Sequence, residues 1–231
     1  MNQETFKHQL SVFTTRDLNV VMAQFETYLN RLVEVNKFMN LTAITEPEEV
    51  YEKHFLDSCL ISPQLKAHDK VADVGSGAGF PGLCLAIIRD DIEVTLIEPT
   101  AKRCKFLSDL ILELDLKNVW VVNSRIEDLP CVRESFDVVT ARAVAQLSIL
   151  LELCVPSVKV GGLMIAMKGQ KALEELEEAS KAIKLLHLSL LSAEPVTLPN
   201  AGLRHNLVFK KDKSTESMYP RAYNQIKNKP L

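Results

Sequence analysis

The sequence predicts an α/β fold, a mostly parallel sheet with helices on both faces, preceded by a helical extension. Two observations carry this. From Lys70 onward, short Val- and Ile-rich runs alternate with helical windows, the pattern of strands joined by crossover helices. The first of these runs, Val71-Ala72-Asp73-Val74, stops in Gly75-Ser76-Gly77-Ala78-Gly79-Phe80-Pro81-Gly82, where four glycines fall within eight residues. Glycine permits positive φ and lets the backbone approach a ligand without a Cβ between them. The stretch therefore reads as strand, ligand loop and helix, with Pro81 as the first helical residue.

The elements follow in order. Leu18, Val21, Met22, Phe25, Leu29 and Leu32 recur at three- and four-residue spacing, which predicts an amphipathic helix from Asp17 to Lys37. An Asn-punctuated connection, Asn36 to Thr42, leads to Thr45-Glu46-Pro47-Glu48, with capping-box spacing, and to a second helix ending near Ile61. On it His54 and Asp57 lie three apart, so they share a face and are placed to hydrogen-bond one another. Pro63 to Lys70 is the joint, giving an extension over 1–65, a sheet domain over 66–212 and a basic tail over 213–231. Strands are expected near 70–74, 93–97, 119–123, 136–140 and 162–167, with Leu188 to Ser192 and Asn206 to Lys210 completing about seven. Helices are expected near 81–89, 101–114, 146–154 and 171–185, the glutamates around Glu174 and Glu175 marking a solvated face.

Composition bounds the class. A chain of 231 residues, 47% hydrophobic and 25% charged, can bury a full α/β core as one domain with extensions. Cys59, Cys84, Cys104, Cys131 and Cys154 are scattered without C-x-x-C spacing, which predicts buried thiols in a reducing compartment and no metal site. The N-terminus lacks a basic-plus-apolar leader, and no apolar run approaches the roughly 18 residues of a membrane span. A cytoplasmic protein with no membrane partner is expected. A net charge of −3 is no nucleic-acid footprint, although local basic surface is compatible with it.

Ligands of such sheets bind at the carboxyl ends of the strands. Gly77-x-Gly79-x-x-Gly82 satisfies the dinucleotide fingerprint, so a nicotinamide cofactor is one reading. Asp73 favours another, because a carboxylate there repels a pyrophosphate but suits the ammonium and sulfonium of S-adenosylmethionine (SAM). A glycine-rich turn with no ligand is the third. Glu98, at the end of the second strand, is placed to accept both ribose hydroxyls. After the third strand, Ile126 offers a cover for an adenine ring and Glu127 or Asp128 an acceptor for its amino group. Arg142, after the fourth, is placed to hold a SAM carboxylate or a substrate phosphate. Cys131 precedes the fourth strand instead of following it and reads as structural, not as a nucleophile.

Several strings together carry a resemblance: Asp73 through Gly82, Asn36-Lys37-x-x-Asn40-Leu41-Thr42, His54-x-x-Asp57-Ser58, Ala141-Arg142-Ala143, Lys168-Gly169-Gln170 and Arg204-His205. Over about residues 25–230 the chain resembles the bacterial RsmG family, also called GidB. The resemblance implies a class I SAM-dependent methyltransferase, Rossmann-like with a seven-stranded, mostly parallel sheet. It implies methylation of guanine N7 in the 530 loop of 16S rRNA, with cofactor contacts at Gly75, Phe80, Ile126, Glu127 and Arg142. The 30S subunit is the implied partner and a monomer the expected state. The tail from Tyr219-Pro220-Arg221 to Lys227-x-Lys229-Pro230-Leu231 matches too, but Ala222 to Ile226 stand where glycine and proline are expected.

The chemistry of such a target agrees with the residues. Guanine N7 carries a lone pair and no proton, so placement, not a general base, is what the site must supply. Donors for guanine O6 and cations for phosphates point to Arg142, Lys168, Arg204, His205 and Arg221. Residues 210–231 hold six Lys/Arg against two Asp/Glu, which makes the tail a candidate RNA contact. Other substrates of a SAM enzyme, small molecule or protein, and a non-catalytic RNA-binding assembly factor remain alternative readings.

Overall fold

The computed structural model describes residues 1–200 and 202–231. A single sheet runs in the order β3-β2-β1-β4-β5-β8-β6, with β7 paired to β8. The strands are β1 (Lys70–Val74), β2 (Glu93–Ile97), β3 (Val119–Val122), β4 (Phe136–Arg142), β5 (Val158–Lys168), β6 (Leu188–Ser192), β7 (Pro195–Leu198) and β8 (Gly202–Lys211). The first five are parallel, and β8 enters antiparallel between β5 and β6. The order reverses beside β1, so the carboxyl ends of β1 and β4 flank the crevice expected to hold a ligand. The expected seven strands thus become eight. The addition is β7, a short edge strand that opens on Pro195 and is recruited only by its antiparallel pairing to Gly202–His205.

The helices are α1 (Gln3–Leu10), α2 (Leu18–Met39), α3 (Pro47–Val50), α4 (Asp57–Cys59), α5 (Gly82–Ile88), α6 (Ala101–Glu113), α7 (Leu147–Cys154), α8 (Ala172–Glu178), α9 (Ser180–Leu185) and α10 (Tyr223–Asn228). Asp17 caps α2 by accepting from the Asn19 amide, and Asn40 closes it in the left-handed conformation. Four details depart from expectation. α1 was not anticipated, although Asn2 caps it and Phe6 and Leu10 are buried. Glu46, not Thr45, caps α3, since Pro47 takes the first helical position, and Glu46 makes no side-chain bond. Pro81 stands at the cap of α5 instead of inside it. The window 171–185 breaks into α8 and α9 at Ala179.

Between α3 and α4 the backbone winds as a π-helix over Tyr51–Leu56. This local widening re-aims the side chains that follow it, and such bulges recur at functional sites. The helices α1 and α2 and the π-helical segment cover one face of the sheet outside α5 and α6, and their side chains join the sheet in one continuous core. Phe55 is its centre, wholly buried against Phe6, Phe25, Tyr28 and Tyr51 at centroid distances of 4.9–6.2 Å. A second core on the other face packs α7, α8 and α9 and takes in Tyr219 and Ile226 from the tail. No described helix is long and apolar enough to cross a membrane.

Because Phe55 ties the N-terminal helices to the sheet core, Phe55→Ala should lower unfolding free energy by about 3–5 kcal/mol in urea titration. A loss below about 1 kcal/mol would show that these helices are not part of the cooperative core.

Candidate active site

The glycine loop is shaped by two carboxylates at strand ends. Asp73 Oδ2 accepts the Gly82 amide at 2.9 Å, and the Ser76 hydroxyl donates to the Asp73 carbonyl at 2.8 Å. Glu98 accepts the Gly77 amide on Oε2 at 3.0 Å and the Thr100 amide on Oε1 at 2.8 Å. Gly75, Gly77 and Gly79 all have positive φ. At Gly79 a Cβ would come within 2.6 Å of Leu83 and of the Tyr28 hydroxyl, so this glycine is required by packing as well as by conformation. At Gly77 a Cβ would meet nothing nearer than 3.8 Å, so the space in front of it is open to a ligand.

Three polar atoms at this end of the sheet are buried without a hydrogen-bond partner: Asp73 Oδ1, Thr140 Oγ1 and Glu127 Oε1, the last with only the Arg125 guanidinium 3.7 Å away. Asp73 and Thr140 are register partners across β1 and β4. Unpaired buried acceptors are costly unless a ligand or water meets them. This donor-poor, acceptor-rich cradle fits SAM, whose amino group, ribose hydroxyls and adenine amine are donors. Asp73, Glu98 and Glu127, with the backbone at Gly75 and Gly77, are the groups that could hold it, and Ile126, next to Glu127 in the chain, is buried. Among the described residues no group of three His, Cys, Asp or Glu side chains is arranged to hold a metal ion.

Next to the loop lies a cavity of about 550 Å³, lined among others by His54, Asp57, Arg142, Lys168, Arg204 and Asn206. Arg142 Nη1 donates to Asp57 Oδ2 at 3.0 Å and to the Lys53 carbonyl at 3.2 Å, and Nη2 lies 3.3 Å from His54 Nδ1. Its guanidinium also lies 4.8 Å from the Phe80 ring centroid, a cation–π contact. The imidazole of His54 stacks on the same ring at 4.5 Å. Expected to bond each other, His54 and Asp57 both turn to Arg142, because a buried guanidinium draws every nearby acceptor. Burial and the facing Arg142 push the His54 imidazole down to about 3, whereas burial pushes the Asp57 carboxyl up against the pull of Arg142.

Lys168 donates to the Ala145 carbonyl at 2.6 Å and to Glu175 Oε2 at 2.7 Å, and the same oxygen accepts the Leu147 amide. Glu175, read as part of a solvated face, is thus a wall of the cavity. Its neighbours Glu174, Glu177 and Glu178 are exposed, and nothing in a run of glutamates singles out the one that turns inward.

Two expected RNA contacts are placed elsewhere. His205 is 3% exposed, with Nδ1 3.1 Å from the Ala193 carbonyl. Side chains alternate along a strand, so with Arg204 and Asn206 facing the cavity, His205 must face away. Arg221 is locked to Glu152, which is wholly buried in α7, through Nε at 2.7 Å and Nη2 at 2.6 Å. This pair, with Arg133 donating to the Tyr219 carbonyl at 2.8 Å and Tyr223 under Arg125 at 5.1 Å, docks the tail onto the body. The tail's basic composition therefore includes charge already spent on folding.

Comparison with known proteins matches residues 21–207 to GidB, rRNA small subunit methyltransferase G. The chain belongs to this family. Among its curated relatives, ribosomal RNA small subunit methyltransferase G of Lactobacillus delbrueckii subsp. bulgaricus is 44% identical over 239 residues, covering 100% of both chains. That of Clostridium perfringens is 44% identical over 214 residues, covering 90% of each. Solved structures similar in fold include a SAM-dependent methyltransferase from Aquifex aeolicus, with TM-score 0.54 at 17% identity over 71% of this chain and 93% of that one. TYW2 of M. jannaschii in complex with AdoMet has TM-score 0.52 at 19% identity, covering 63% of this chain and 70% of that one. The family fold is thus the class I, Rossmann-like methyltransferase fold.

Burial raises the Asp73 carboxyl from 3.8 to about 7, opposed by the Gly82 amide. The folded state then holds a proton that the unfolded chain releases, so stability falls as pH rises from about 4 to 7. Asp73→Asn should flatten that fall, by up to roughly 1 kcal/mol per pH unit, in urea unfolding at pH 5 and pH 8. Equal slopes would show that Asp73 titrates alike in both states.

Proposed function

We propose that this SAM-dependent rRNA methyltransferase modifies N7 of one guanine in the 530 loop of 16S rRNA, acting in the cytoplasm on the small subunit or its naked rRNA. The observation that carries the reading is the charge of the cavity beside the glycine loop. Its lining brings Lys53, Arg142, Lys168 and Arg204 against Asp57 and Glu175, four cations to two carboxylates, on a chain whose net charge is −3. Such a surplus suits a phosphate backbone, and a single-stranded loop can present a splayed base to it.

The absence of a poised base among the cavity's described residues supports N7 over an amine. His54 has both ring nitrogens engaged, Asp57 is committed to Arg142 and Glu175 to Lys168. An N7 lone pair needs no proton removed. SAM, when bound, supplies an electrophilic methyl on its sulfonium. The chain's own work is to align that donor with the base, an effect that contributes about 7–11 kcal/mol in well-oriented systems. On this reading Arg142 and Lys168 contact the reacting base or its phosphate, and Arg204 holds flanking backbone.

Protein with radiolabelled SAM and 30S particles or rRNA lacking this methylation should label one guanine, mapped by N7-specific aniline cleavage. Arg142→Ala should lower the rate at least about 100-fold with the fold intact. Glu98→Ala should weaken SAM binding by about 10- to 100-fold, the loss of hydrogen bonds to a charged acceptor. SAM binding without rRNA labelling would retain the cofactor and refute the substrate.

A further inference from the structure

We infer that His54 is a positioning residue for Arg142: its Nδ1 lone pair accepts from the guanidinium while Thr42 fixes its other nitrogen, so the connection after α2 sets the arginine's aim. The inference rests on the reading of Arg142 given above. It extends that reading to a residue argued to act through the arginine.

The hydrogen-bond arithmetic fixes the tautomer. His54 Nε2 lies 2.7 Å from Thr42 Oγ1, and Nδ1 lies between Arg142 Nη2 at 3.3 Å and the Lys53 carbonyl at 3.2 Å. A guanidinium can only donate, so Nδ1 must present its lone pair to it. The Lys53 carbonyl loses nothing by this, since Arg142 Nη1 already donates to it at 3.2 Å. The ring proton is then on Nε2, donated to Thr42 Oγ1. Thr42 is itself pinned: its amide donates to Asn36 Oδ1 at 2.8 Å, and Asn36 Nδ2 donates to its carbonyl at 2.9 Å. The Asn36-to-Thr42 motif thereby acquires a physical role, as a clamp that holds a hydroxyl against an imidazole.

The same arithmetic shows what the clamp achieves. Arg142 has five N–H groups. Asp57, the Lys53 carbonyl and His54 engage three along its inner edge, and Phe80 covers one face of the plane. The Nε–H and one Nη2–H have no partner among the described residues, and Arg142 lines the cavity. These two are the donors left for a substrate oxygen, and rotation of the guanidinium about its axis would take them away. Asp57 alone does not prevent that rotation, because its contact is to Nη1 only. His54, on Nη2, supplies the second point that defines the plane. Burial of the imidazole opposite a cation keeps it in the neutral form that this contact demands.

The test compares His54→Phe, which keeps a ring on Phe80 and removes the acceptor, with His54→Asn, whose side-chain amide reaches the Nδ1 position. Each is assayed on undermethylated 30S particles for kcat and KM, with SAM affinity and urea midpoint measured beside them. His54→Phe should lower kcat about 10- to 100-fold, the loss that a misplaced group brings, with SAM affinity changed less than about threefold. His54→Asn should recover most of that rate. Added to Arg142→Ala, His54→Phe should cost nothing further, since residues acting as a unit are not additive. Wild-type kcat in His54→Phe beside an inactive Arg142→Ala would overturn the inference while leaving the arginine's role intact. Equal loss in both His54 variants, tracking a fallen urea midpoint, would overturn it in favour of a packing role. Full activity of Arg142→Ala would instead remove the reading on which it rests.

Discussion

The ion pair between Arg142 and Asp57, 3.0 Å apart and largely buried, is the constraint on which the site depends. Arg142 ends the central strand β4, whereas Asp57 begins α4 in the helical cover, so the pair joins the sheet's carboxyl edge to the N-terminal layer. A buried charge stripped of its partner costs several kcal/mol, although an intact pair stabilises little. Its consequence is therefore placement. The arginine cannot sit in the cavity floor unless the helix carrying Asp57 is seated, and that helix is seated by Phe55 in the aromatic core. Packing far from the cavity thus governs the aim of a cation inside it.

The glycine loop shows the same economy at the other half of the site. Asp73 and Glu98 each use part of their accepting capacity on backbone amides of the loop, at Gly82 and at Gly77 and Thr100. Each oxygen has two lone pairs, so the carboxylates that shape the loop still have acceptors to offer a ligand. A cradle held in this way does not have to order itself on binding, which lowers the entropic cost of affinity. The unpaired Asp73 Oδ1 is the corresponding penalty in the ligand-free chain, visible in the upward displacement of its carboxyl.

Charge is distributed unevenly between binding and folding. Arg142 and Lys168 are both held by carboxylates within the cavity, Asp57 and Glu175, while Arg204 is 3.9 Å from Asp57 and more exposed. On the proposed reading, an RNA phosphate entering here would meet cations already oriented and would compete with Glu175 for Lys168. The tail, despite its basic composition, commits Arg221 to Glu152 and its buried Ile226 to the second core. The count of positive residues in a segment therefore overstates what that segment has available for a polyanion.

Much of this was legible in the chain before folding. The glycine loop, Asp73, Glu98 and Arg142 all stand at ends of strands that periodicity alone delimits, and chemistry at strand ends follows from the topology of parallel sheets. The motif strings sufficed for the family, because they are local. What the sequence did not disclose is non-local or depends on facing. His205 and Arg204 are neighbours with the same polar look, and only β8 pairing with β5 and β7 decides which one faces the cavity. Glu175 is one glutamate in a run until α8 is laid against Lys168. His54 and Asp57 share a helical face by spacing, yet their common partner lies more than eighty residues away, on β4. Hydrophobic periodicity and glycine placement act within a few residues and so are written in the order of the chain. The partner of a buried charge is chosen by packing across the whole fold, and only the tertiary structure settles it.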